Sequence, residues 1–184
     1  MKTICFTGPR KIYGSYSGSE HTRIYHKLIE VVKRAYKGGF NHFISGAALG
    51  IDTLAAEAVL YSIQSLWLPI KLTVALSHKD HGSNWPRPSQ QRLRSICHRT
   101  AATKGEIITV SAGPFHNGVG NIRNYWMIDR SDAVIAVWEN PKKGGTKHAV
   151  EYAFKKGLPI LLIDPITLNE IWKQQLNLNK GARH

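Results

Sequence analysis

Apolar runs of strand length alternate with segments of helical period from one end of the chain to the other. Positions 2–7 (KTICFT) are a short apolar run stopped by Gly8-Pro9, which predicts a buried strand. Over 20–36 the residues Ile24, Leu28, Val31, Val32 and Ala35 recur at helical spacing, and Gly38-Gly39 ends that helix. The same alternation predicts strands at 42–45, 71–76, 106–110, 133–138 and 159–163, with helices over 51–64, 89–103, 121–130 and 146–156 between them. A last helix is predicted over 167–178. It opens on the capping box Thr167-Leu168-Asn169-Glu170, carries Leu168, Ile171, Trp172 and Leu176 as its apolar stripe, and leaves a frayed tail from 177 to 184.

Strands alternating with helices of this length imply one α/β domain, a mostly parallel sheet with helices on both faces. The 184 residues fit a single domain over 1–184, its core in 2–164, with no repeat, low-complexity segment or linker to divide it. In such sheets ligands bind outside the carboxyl ends of the strands, so function is expected in the strand-to-helix loops.

Composition adds three constraints. With 42% hydrophobic and 20% charged residues the chain is of ordinary globular type, and no stretch approaches the roughly 18 apolar residues of a membrane span. Two cysteines, Cys5 and Cys97, share no CxxC spacing, which points to reduced thiols, a cytoplasmic protein and no metal cage. Against 12 Asp and Glu stand 25 Lys and Arg, a net charge of +13 that favours phosphorylated or polyanionic partners.

Four of the loops are rich in glycine and small polar residues. In the first, Gly8, Pro9 and Arg10 combine close backbone approach with a guanidinium that can fork onto a phosphate. The second runs through Ser45, Gly46, Ala47 and Gly50 to Asp52, and places free helix amides beside room for an anion. Asp52 is open between a helix cap, a ribose acceptor and a general base, and Glu57 one turn on is a further candidate for the same pocket. The third leads into a helix with Arg123 and Asn124 in its first turn, where a cation opposes the helix dipole unless it meets an anion. The fourth ends Gly144-Gly145-Thr146, backbone amides and one hydroxyl at a helix start. Trp85, set among glycine and prolines, either stacks on a base or pins its loop. His78 and His81 have metal-like spacing without a third ligand, and read as a polar loop.

Taken in order, TGPR, FISGAALGIDTLAAEA, the Asn84-Trp85 loop and RNYWMIDRSDAVIAVWENPKKGGTKHAVEYAFKKGLPI resemble the YpsA-like branch of the SLOG superfamily, over nearly the whole span 2–164. That superfamily includes the LOG phosphoribohydrolases and the DNA-processing DprA proteins. The resemblance implies a Rossmann-like domain holding a nucleotide-derived ligand across these same loops. By resemblance, too, family members tend to form dimers or larger homo-oligomers. LOG enzymes cleave base from ribose 5′-monophosphate with an Arg and a Glu in a PGGxGTxxE motif. Arg123 and Gly144-Gly145-Thr146 match; the Glu does not. Ala149 stands at its place, and the nearest acid, Glu151, lies roughly 200° further round the helix.

The leading expectation is therefore a binding protein for an ADP-ribose-like, cyclic or mononucleotide ligand, with no cofactor required. It would act as a sensor or by sequestration, and the resemblance allows a role in bacterial defence or counter-defence signalling. Gly8, Arg10, Gly46, Arg123, Gly145 and Thr146 would face phosphate, Asp52 or Glu57 ribose, and Trp85 the base. The second reading is a nucleotide N-glycosidase in which Asp52, Glu57 or Glu151 replaces the missing acid. The third is single-stranded nucleic-acid binding along Arg92, Arg94, Arg99 and Lys104.

Overall fold

The computed structural model describes residues 1–11, 18–138 and 144–173. Its elements alternate as predicted up to β6: β1 (Lys2–Thr7), α1 (Ser19–Lys37), β2 (Phe40–Ser45), α2 (Ile51–Gln64), β3 (Lys71–His78) and α3 (Arg87–Ala102) form the first half. β4 (Glu106–Ser111), α4 (Val119–Asp129), β5 (Ala133–Val137), α5 (Gly145–Lys155), β6 (Ile160–Ile163) and β7 (Glu170–Lys173) complete it. The sheet order is β4-β3-β2-β1-β5-β6-β7, and every pairing is parallel except β6 with β7.

Because successive strand residues point to opposite faces, each strand feeds two cores. Ile4, Phe6, Phe43, Leu72, Val74 and Ile135 pack with the inner stripes of α1, α2 and α3 on one face. Their neighbours Cys5, Ile44, Ala75, Val134 and Ala136 pack on the other with Met127 and Ile128 of α4 and Ala149 and Ala153 of α5. Helices thus cover both faces, as the strand sequences, apolar at nearly every position, require. Cys5 and Cys97 are free thiols, and burial pushes that of Cys5 up to about 12. Among the described residues no helix is long and apolar enough to cross a membrane.

The expected helix over 167–178 is not there. Residues 170–173 instead run back along β6 as its antiparallel edge strand, Ile163 opposite Glu170 and Ile160 opposite Lys173. The reversal is made by the Asp164 carboxylate, which accepts the backbone N–H groups of Ile166 and Thr167 at 2.8 Å each, and by Leu168 in the left-handed region at φ 59°. The capping box is disassembled at both ends. Thr167 Oγ1 accepts from Asn169 N at 3.2 Å, and Glu170 turns to Lys27 at 2.8 Å and Arg34 at 2.5 Å. Pairing with an otherwise open sheet edge outweighs an exposed single helix, since it satisfies backbone groups on two strands at once. Positions 174–178 of that expectation, and the frayed tail, lie outside the described residues.

β1 has β2 on one side and β5 on the other, so the crossovers that build the first half run away from β5. This reversal of direction opens a crevice at the carboxyl ends of β1 and β5.

Candidate functional site

A cleft of about 440 Å³ occupies that crevice. Its walls come from the segment after β1 (Thr7 to Arg10), from Ala48 and Asp52, from the segment after β4 with the first turns of α4, and from Gly144, Gly145 and Thr146. The N-caps of α4 and α5 are Gly118 and Gly144, and neither helix has a side-chain cap hydrogen bond. Their first amide groups are thus left without a side-chain acceptor, as a site for an external anion requires.

Arg123 is the central side chain. Only 5% exposed, it projects from the first turns of α4 with its Nε and Nη1 buried and without a hydrogen-bond partner. Its nearest counter-charge is Asp52, also 5% exposed, with Oδ2 at 3.3 Å from Nη1. Burial pushes the Asp52 carboxyl above its ordinary range, while the guanidinium of Arg123 and then that of Arg10 pull it down. Burial likewise acts against the charge on Arg123, and Asp52 supports it. A buried guanidinium with open donors is costly, and an oxyanion entering the cleft would satisfy what Asp52 leaves unmet.

Gly46 makes this arrangement sterically feasible. A Cβ there would stand 1.5 Å from Arg123 Nη1 and 2.6 Å from Asp52 Oδ2, so the pair lies directly on the glycine's backbone. The rest of that loop is a frame behind the cleft wall. Ser45 Oγ donates to the Asp52 carbonyl at 2.6 Å and accepts from Ala47 N at 3.1 Å, and Ala47 is fully buried. Gly50, at φ 85°, lets the backbone pass the carbonyl oxygens of Pro9 and Arg10, which a Cβ would meet at 2.4 Å. Ser45, Gly46, Ala47 and Gly50 therefore do not line the cleft as a phosphate cradle; they hold the residues that do.

Gly8, Pro9, Arg10, Asp52, Arg123, Asn124, Gly144, Gly145 and Thr146 are brought together on the cleft wall. Asn124 also ties α4 to α5, its Nδ2 donating to the Gly145 carbonyl at 3.5 Å. Three expected residues stand elsewhere. Glu57 accepts from Arg92 Nε at 2.7 Å and Nη2 at 2.5 Å in a separate, shallower depression of α1, α2 and α3. Glu151 faces outward on α5, with Lys147 3.6 Å away. Trp85 packs edge-on against His81, ring centroids 5.0 Å apart, and its ring meets Gly82, so it pins its loop. Missed from the sequence were Phe115 and His116, which line the cleft before the third glycine loop. The available signal was an aromatic residue after Gly113-Pro114 in a loop with no apolar neighbour to bury it.

Behind the wall, Ser77 joins two histidines. Its hydroxyl lies 2.8 Å from His81 Nδ1 and 2.9 Å from His78 Nδ1, and its backbone N–H also approaches His81 Nδ1, at 3.4 Å. Two donors directed at one nitrogen make His81 Nδ1 an acceptor, so neutral His81 carries its proton on the buried, unpartnered Nε2. Burial, and next the charge of Arg123, depress His81 from 6.5 to about 4. Between those values the unfolded chain holds the extra proton. Stability that is complete above pH 6.5 is therefore lost as pH falls through about 4, by about 3 kcal/mol from this group. His21 and His42, also depressed chiefly by burial, add to the loss with the same sign. Urea midpoints from pH 7 to pH 4 should show the fall, and the His81→Gln variant should show a shallower one.

A family model described as the YspA SLOG family (YpsA) matches residues 13–168. A UPF0398 protein of Leuconostoc citreum is 22% identical over 173 residues, 89% of this chain and 88% of the relative. One from Bacillus cereus is 27% identical over 168 residues, covering 85% of each chain. Among solved structures, DNA processing protein A of Helicobacter pylori, described for its single-stranded DNA binding mode, aligns with a TM-score of 0.61 at 20% identity. The match covers 89% of this chain and 65% of that one, a likeness of fold. With the family model spanning most of its length, the chain belongs to the YpsA family of SLOG domains.

Proposed function

We propose that the cleft binds a nucleotide-derived ligand, a mononucleotide, cyclic nucleotide or ADP-ribose-like molecule, with a phosphate against Arg123. The observation that carries this reading is the buried guanidinium, two of whose nitrogens have no hydrogen-bond partner, on the wall of a cleft. Arg10 at the rim and the uncapped first turns of α4 and α5 add positive potential from three directions. A relative of the same fold that binds single-stranded DNA is in keeping with a phosphate-bearing ligand. The protein then acts as a sensor or a sequestering domain, as a homo-oligomer, and its place in defence signalling belongs to the same proposal.

Binding is favoured over hydrolysis. Among the described residues Asp52 is the one carboxylate on the cleft wall, and it is engaged with Arg123. N-glycoside cleavage asks for a group to stabilise the developing cation and another to activate water, and Glu57 and Glu151 are turned elsewhere. Binding along α3 is less favoured for a similar reason. Arg92 is committed to Glu57, and Arg99 donates to Gln64 Oε1 at 3.0 and 2.7 Å.

The test is to denature the purified protein, identify any released small molecule by mass spectrometry, and measure melting temperature with a nucleotide panel. A nucleotide recovered intact, which raises the melting temperature as its concentration exceeds the dissociation constant, is the expected result. Release of free base on incubation points instead to turnover, and no shift with any nucleotide removes the proposal.

A further inference from the structure

We infer that Phe115 is the platform for a planar aromatic ring of the ligand, which makes the cleft selective for phosphates that carry a nucleobase. The inference rests on the phosphate reading above and adds the other end of the molecule. Phe115 is 64% exposed, yet it stands on the wall of a cleft lined otherwise by glycines, by the small residues Pro9 and Ala48, and by polar or charged side chains. It belongs to neither core cluster, so its ring serves no packing purpose in the sheet layers.

The ring is nevertheless held in place from behind. His78, itself buried, meets it edge to face with centroids 5.5 Å apart and an angle of 63°. His78 is fixed in turn by Ser77, whose hydroxyl lies 2.9 Å from Nδ1. A ring supported by a hydrogen-bonded histidine and open toward the cleft is a preformed surface for a second π system, which every nucleobase supplies. His116 and Asn117, next along the same wall, offer polar groups to the edge of a stacked base. Trp85, the aromatic residue the sequence suggests for this role, is spent on its own loop.

The experiment compares AMP with ribose 5-phosphate, which has the phosphate and sugar but no ring, by titration calorimetry on the wild type, Phe115→Ala and Phe115→Tyr. The wild type should bind AMP about 10-fold or more tightly than ribose 5-phosphate, the scale of one base–aromatic stack. Phe115→Ala should bring AMP down to the level of ribose 5-phosphate and leave the latter unchanged, and Phe115→Tyr should restore the difference. Equal binding of both ligands by the wild type, or an equal loss of both in Phe115→Ala, overturns the platform while the phosphate reading stands. Binding of neither by the wild type overturns the phosphate reading itself, and the platform with it.

Discussion

Arg123→Ala is expected to abolish nucleotide-dependent stabilisation and, without ligand, to destabilise the protein by about 3 kcal/mol or more, because it strands Asp52 as a buried carboxylate without its partner. The two effects are separable. With the guanidinium gone, burial is opposed only by Arg10 and by a backbone hydrogen bond at Ala48, and the Asp52 pKa rises further above the ordinary 3.8. Over the interval between 3.8 and that raised value the folded variant holds a proton the unfolded chain has released. The destabilisation should thus shrink as pH falls through that interval, the opposite sign to the histidine-driven loss in the parent. Adding Asp52→Asn to Arg123→Ala should recover part of the stability at pH 7 and none of the ligand response. Chemical denaturation of the two variants at pH 7 and pH 5, beside melting curves with nucleotide, checks both halves. A retained nucleotide shift in Arg123→Ala contradicts the proposed role of the guanidinium.

Gly46→Ala is the second large effect, produced by one methyl group that touches no solvent. Its Cβ needs the space that holds Arg123 Nη1 and Cζ, 1.5 and 2.2 Å away, so the guanidinium must leave its position or the loop must move. Overpacking of this kind costs about 1–3 kcal/mol of stability. The functional loss is of the same order as the structural one: a displaced guanidinium forfeits its hydrogen bonds to the phosphate, on the order of 100-fold in affinity. Gly113→Ala is the matched control: nothing stands within 4 Å of a Cβ there, and neither stability nor binding should change. Comparable behaviour of the two alanine variants in calorimetry contradicts the tight seating of Arg123 against the loop.

Much of the fold was legible because the central strands are buried on both faces, so that their sequences are short apolar runs bounded by glycine or polar residues. Phe43-Ile44 and the run Ala133–Val137 announce themselves this way. The C-terminal segment was not legible. Thr167 and Glu170 have the spacing of a capping box, but local propensity lost to an open sheet edge and to Lys27 and Arg34, which are distant in sequence.

The site divides along the same line. Arg123 was visible because the sequence places it in the first turn of a helix, where a cation is unfavourable unless something answers it; α4 in fact starts two residues earlier, at Val119, and Arg123 is its fifth residue. That Gly46 serves Arg123 rather than a ligand is a contact between residues far apart in the chain, and no spacing encodes it. Glu57 lies five residues after Asp52, about 1.4 turns on, and the helix directs it toward Arg92 on α3. Trp85 and Phe115 are both aromatic residues in glycine and proline loops, each with a histidine ring against it; Trp85 is the pinned one because it also packs on the core and Gly82, while Phe115 stays 64% exposed.

The most direct test of the central claim is calorimetric titration of AMP and ADP-ribose into the wild-type protein and into Gly46→Ala, which keeps every charge of the cleft. One ligand per chain bound by the wild type, and binding weaker by on the order of 100-fold in the variant, is the predicted result. Equal affinities in the two proteins, or no heat from either ligand in the wild type, would contradict a phosphate site built on Arg123.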